Sequence, residues 1–90
     1  MRIARRFLIS GRVQGVGFRW FTKDAAARAG VNGWVRNLPD GRVEAWVEGD
    51  ADAVMRLEAA LRLGPRGARV ENVYTIEEDA GGGHDGFSIR

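Results

Sequence analysis

Arg19 follows the run Gly11-Arg12-Val13-Gln14-Gly15-Val16-Gly17-Phe18, a glycine-punctuated loop that leaves a strand-like segment and enters a helix-like one. Such a loop gathers backbone N–H groups at the positive end of the helix dipole, which favours an oxyanion. Gly15 and Gly17 let that backbone come close to a bound group, although glycines also serve simple tight turns. Arg19 adds a second signal, because a cation at the start of a helix opposes the dipole unless an anion sits between them. A guanidinium beside a cup of amides can grip two phosphate oxygens and stabilise charge that develops on them. The loop is not a Walker A site, since no Gly-Lys-Ser/Thr closes it. Nor is it a dinucleotide fingerprint, since Trp20 stands where the third glycine belongs.

The elements that must position this loop can be read from periodicity. Ile3, Phe7, Leu8 and Ile9 make a short apolar run ending at Gly11, which predicts a largely buried strand over 3–10. From Phe18 to Ala29 the spacing turns helical, with Phe18, Phe21, Ala25 and Ala29 on one face, Asp24 and Arg28 paired on the other, and Gly30 as the C-cap. Residues 31–37 read as a second strand that ends at Asn37. Leu38-Pro39-Asp40-Gly41 then signals a tight reversal into a third strand, with Val43, Ala45 and Val47 inward and Glu44, Trp46 and Glu48 on a mostly wet face. Asp50 or Asp52 caps a second helix with Val54, Leu57 and Leu61 in its stripe, and Gly64-Pro65 stops it. A fourth strand covers 68–77, with a shift of phase after Val70 that suggests a bulge, and Phe87-Ser88-Ile89 offers a short last strand. The order βαββαβ predicts an α+β ferredoxin-like two-layer sandwich, an antiparallel sheet with both helices on one face.

Ninety residues are expected to form a single domain, 1–90, around one core. The absence of cysteine excludes disulfides, thiolate metal sites and a Cys nucleophile. No apolar run reaches the roughly 20 residues of a membrane span, and no signal-peptide pattern opens the chain, so a cytoplasmic location without membrane contact is expected. The lone histidine, His84, lies among the glycines of 81–86, a poor setting for a pre-organised base. Scattered carboxylates and this one histidine predict neither a metal nor another cofactor. The net charge is +2, and thirteen of the fourteen basic residues are arginine, so a nucleic-acid partner is compatible with the charge but not demanded by it.

The run Gly11-Arg12-Val13-Gln14-Gly15-Val16-Gly17-Phe18-Arg19 resembles the phosphate loop of the acylphosphatase family, and Gly33-Trp34-Val35-Arg36-Asn37 resembles the strand that carries the family's asparagine. Asp40-Gly41, Gly64-Pro65, Ala68-Arg69-Val70 and Phe87-Ser88-Ile89 extend the likeness over nearly the whole chain, while Gly81–Gly86 and Arg90 stand apart from it. The resemblance implies a hydrolase that cleaves the carboxyl–phosphate bond of acyl phosphates by in-line attack of water, with no metal and no covalent intermediate. It makes Arg19 the phosphate-binding arginine and Asn37 the residue that orients water. Gln14, Gly15, Val16, Gly17 and Phe18 form the amide cradle with Arg19. Its partner is a small acyl phosphate, with phosphate or sulfate as competing anions and the chain acting as a monomer. By residue type alone, an ordinary strand end before a turn is the favoured reading of Asn37.

Two other readings share the fold. RNA-recognition domains stack bases on sheet aromatics, a role open to Trp34, Trp46 and Tyr74, but no Lys/Arg-Gly-Phe-Gly-Phe-Val run is present. A carrier domain of the kind found within larger maturation proteins is disfavoured by the short chain, and an assay with a simple acyl phosphate separates the three.

Overall fold

The computed structural model describes residues 1–81 and 83–90, and Gly82, within the expected glycine-rich stretch, lies outside them. The order is β1 (Arg2–Arg12), α1 (Phe18–Ala29), β2 (Asn32–Asn37), β3 (Val43–Asp50), α2 (Ala51–Leu63), β4 (Arg69–Glu78) and β5 (Phe87–Ile89). The sheet runs β4-β1-β3-β2-β5, with antiparallel pairing from β4 through to β2. This is the ferredoxin-like α+β sandwich. The short β5 adds to β2 in parallel and makes the sheet mixed, because the chain leaves β4 at one edge and re-enters at the other.

Odd-numbered residues of the strands, Phe7, Ile9, Val35, Val43, Ala45, Val47 and Val73, form one apolar face beneath Phe18, Ala26, Val54, Leu57 and Leu61 of the helices. Burying such side chains supplies roughly 1.5–3 kcal/mol each against leaving them in water. The inner face of α1 is turned by about one residue from the expected stripe. Thr22 is buried there, and its hydroxyl donates to the Phe18 carbonyl at 2.8 Å, which satisfies the polar group the apolar pattern would have excluded. Asp50 stands at the N-cap of α2 without capping it by its side chain; its carboxylate accepts from the N-terminal ammonium at 3.2 Å instead.

The bulge falls where the phase shift placed it. Ser10 faces Asn72 and Gly11 faces Val70, leaving Glu71 as the extra residue. The expected wet face of β3 is corrected, because Glu44 and Glu48 are only 4% and 2% exposed. Arginines from both neighbouring strands lie over them. Arg36 Nε meets Glu44 at 2.6 Å and Arg6 Nη1 meets it at 3.2 Å, while Arg2 Nε and the Gly81 amide donate to Glu48 at 3.0 and 2.7 Å. Buried carboxylates need such pairing, and the sequence of one strand does not reveal what the next strands bring. No helix of the described residues is long and apolar enough to cross a membrane.

Candidate active site

Helix α1 begins in an unusual way. Its N-cap is Gly17, in the left-handed region at φ 75° and ψ 23°, with no side-chain cap and no acidic residue in the first turn. The first N–H groups of a helix lack intrahelical acceptors, so this end, with no side-chain cap and no acidic residue in its first turn, presents free donors among the described residues. Gly15 also has φ 75°, and Val16 between the two glycines keeps a negative φ, since no non-glycine residue of the described chain is left-handed. Alternating handedness of this kind turns successive amides toward one concavity, a nest for an anion. Val13 and Phe18, both buried in the core, pin the loop at its two ends, and Val16 packs against the same core.

Asn37 reaches the same place from β2, which lies across β3 from the strand that leads into the loop. It is the last residue of β2, paired with Val43, and half-buried. The hairpin that follows is closed by Leu38 N–H to the Arg42 carbonyl at 2.8 Å and Gly41 N–H to the Leu38 carbonyl at 3.1 Å. Asp40 steadies it by accepting from the Arg42 amide at 3.0 Å and from Arg42 Nε at 2.8 Å. That amide first, and then the guanidinium, hold the Asp40 carboxyl below its ordinary pKa.

Between loop and strand end lies a pocket of about 90 Å³, lined by Val13, Gly15, Gly17, Phe18, Arg19, Trp20 and Asn37. The expected residues Gly15, Gly17, Phe18, Arg19 and Asn37 therefore meet, although Arg19 and Asn37 come from different elements. Gln14 and Val16 do not line it. The Gln14 side chain turns to the β2–β3 hairpin, where Nε2 donates to the carbonyls of Leu38 at 2.8 Å and Arg42 at 3.0 Å. Val13 and Trp20 line the pocket without having been expected there. Trp20 is 69% exposed, and the Lys23 ammonium stands 5.6 Å from its ring centroid. Its place directly after Arg19 was the only signal available. Among the described residues Arg19 forms no ion pair, and no group of three or more His, Asp or Glu is placed to hold a metal.

The other expected features lie away from this pocket. His84 packs on Trp46 with centroids 4.8 Å apart, and Gly81 is tied to Glu48, so the described residues of the glycine-rich stretch lie against the sheet rather than the loop. Arg90 lies over Trp34 at 4.7 Å, with Arg36 at 5.3 Å from the same ring. Both tryptophans proposed for base stacking are thus already partnered within the chain.

The loop also yields a test of its backbone. A Cβ built on Gly15 or Gly17 meets nothing within 4 Å, so a side chain is opposed by the left-handed φ rather than by a clash. Gly17→Val is expected to lower stability by about 1–2 kcal/mol, the ordinary cost of a left-handed L-residue. If the nest binds an anion, phosphate affinity measured by calorimetry falls tenfold or more, beyond what that strain alone brings about. Normal phosphate binding by folded Gly17→Val would place the anion elsewhere.

The acylphosphatase family profile matches residues 5–89. An acylphosphatase of Rubrobacter xylanophilus is 58% identical over 85 residues, 94% of this chain and 77% of that protein. One from Anaeromyxobacter dehalogenans is 51% identical over 89 residues, 99% of this chain and 96% of its own. The crystal structure of acylphosphatase from Bacillus subtilis superposes with a TM-score of 0.95 at 38% identity, covering 98% of each chain. A family profile over residues 5–89, relatives 58% and 51% identical and a shared overall fold leave one conclusion: the chain belongs to the acylphosphatase family and is a hydrolase of acyl phosphates.

Proposed function

We propose that the loop amides of residues 14–18 and the Arg19 guanidinium bind the phosphoryl group, and that Asn37 orients the attacking water. The single observation that carries this reading is the shared pocket, which puts Arg19, Asn37 and the two left-handed glycines around one small space. At about 90 Å³ it suits a group the size of phosphate and leaves the acyl part outside, toward Trp20. The water oxygen forms a bond to phosphorus as the bond from phosphorus to the acyl oxygen breaks, and the carboxylate departs. The proton of the water passes to a phosphate oxygen or to solvent, because an amide side chain is a poor base. A carboxylate is a good leaving group, so positioning and charge neutralisation suffice, with no metal and no covalent intermediate. The protein acts as a cytoplasmic monomer on small acyl phosphates.

Kinetics with acetyl phosphate and a phosphate monoester test this reading. At constant ionic strength, phosphate and sulfate are expected to inhibit competitively, EDTA to leave the rate unaltered, and the monoester to be hydrolysed far more slowly. Sulfate inhibition that is absent or non-competitive speaks against the anion site. Loss of turnover in EDTA, restored by a divalent ion, speaks against metal-free chemistry.

A further inference from the structure

We infer that Gln14 is a positioning residue, whose side-chain amide ties the phosphate loop to the β2–β3 hairpin and thereby sets where Asn37 stands relative to the bound phosphate. The inference rests on the role proposed for Asn37.

The two halves of the site hang on different strands. The loop continues β1 and Asn37 ends β2, and β3 lies between them in the sheet. Strands two apart are separated by roughly 9–10 Å, so no ladder hydrogen bond joins loop to strand end directly. Gln14 bridges that gap, with one nitrogen donating across 24 residues to Leu38 and across 28 to Arg42. Both partners are carbonyl oxygens, which accept only, so the amide must present its NH₂ group to them and both of its protons are used. Leu38 follows Asn37 directly, and the same two carbonyls already accept from Gly41 and Leu38 within the hairpin. Gln14 is therefore joined to the closing hydrogen bonds of the turn that begins where Asn37 ends. The loop is anchored by Val13 and Phe18 in the core, which leaves the hairpin as the part that needs this tie.

Three substitutions separate positioning from other roles. Gln14→Met keeps the length and removes both donors, while the hairpin carbonyls retain their own partners. Gln14→Lys restores donors on a stem of sufficient reach, and Gln14→Glu turns a carboxylate toward two carbonyls. Misplacement by about an ångström lowers turnover by roughly 10- to 100-fold, so kcat for acetyl phosphate falls on that scale in Gln14→Met and Gln14→Glu and recovers in large part in Gln14→Lys. The inhibition constant of inorganic phosphate, which needs no oriented water, moves by less than about threefold in the Met variant, as expected for a group that touches no phosphate. In an Asn37→Ala background, Gln14→Met lowers kcat by no more than about twofold, because residues that act as one unit are not additive.

The outcomes are distinct. Loss of phosphate affinity in folded Gln14→Met, with kcat preserved, makes the Gln14 side chain a phosphate ligand alongside its backbone amide and overturns the proposal. A lowered melting temperature with normal kcat makes it a purely structural tie and does the same. Effects of Gln14→Met and Asn37→Ala that multiply show that Gln14 does not act through Asn37. Asn37→Ala alone reports on the underlying reading: full activity there removes the role of Asn37 and this inference with it. If Gln14→Met does not fold, the contrast of Lys against Glu decides between the same alternatives.

Discussion

Replacing Arg19 with alanine is expected to lower kcat/KM for acetyl phosphate by two to three powers of ten and to weaken inorganic phosphate as an inhibitor as well. Arg19 is half-buried, lines the phosphate-sized pocket and forms no ion pair among the described residues. Its guanidinium is therefore available to the ligand, and truncating a charge-assisted contact whose partner stays desolvated costs about 2–5 kcal/mol. Charge grows on the phosphoryl oxygens as the bond to the carboxylate lengthens, so part of that loss appears in kcat and not only in binding. Arg19→Lys should recover little, since an ammonium is a point charge that cannot hold two oxygens in a fixed fork. Stability should move the other way. Arg19 sits in the first turn of a helix that has no acidic residue there, so removing its charge stabilises the free protein by about 0.3–1 kcal/mol. A thermal melt of Arg19→Ala in phosphate-free buffer, beside its kinetics, checks both signs. A variant that is less active and also less stable would mean that the charge is neutralised within the chain, contrary to the anion site.

Opposite signs for activity and stability are what a pre-formed anion site implies, and they bear on what a sequence can disclose. That Gly15, Gly17 and Arg19 line one pocket was legible because their placement is local: loop, helix start and cation lie within a few residues. Val43, Ala45 and Val47 were legible for the same reason, and so was the bulge opposite Gly11. Glu44 was misread as wet because its burial depends on Arg6 and Arg36, which only strand pairing brings over it. Thr22 was missed because a buried hydroxyl bonded to its own helix leaves no pattern in apolar spacing. Asn37 lies 18 residues beyond Arg19, and without the family resemblance its type and place favour an ordinary strand end. Gln14 is the sharpest case. Its partners are backbone carbonyls, which every residue possesses, so nothing in the sequence can name them.

Asn37→Ala is expected to lower the maximal rate by roughly 10²–10³-fold, the usual scale for losing one pre-organised polar group, while phosphate affinity stays close to that of the unaltered chain. The difference from Arg19 follows from charge. A neutral amide adds little to the hold on a dianion already gripped by backbone donors and a guanidinium, but it can donate a hydrogen bond to one partner while its oxygen accepts a hydrogen bond from the water. Its backbone remains paired with Val43, and the hairpin after it is closed by Leu38, Gly41 and Arg42 without help from the Asn37 side chain. Truncation at this half-buried strand end should therefore shift stability by no more than about 0.5 kcal/mol. Asn37→Asp sharpens the test. A carboxylate has nearly the same shape but repels the phosphate, so this variant should lose both affinity and rate. Calorimetry of phosphate binding together with single-turnover hydrolysis at saturating acetyl phosphate resolves the two quantities. If Asn37→Ala binds phosphate as poorly as Arg19→Ala and keeps its rate at saturation, Asn37 belongs to the phosphate cradle, and the water must be oriented by another group in the pocket.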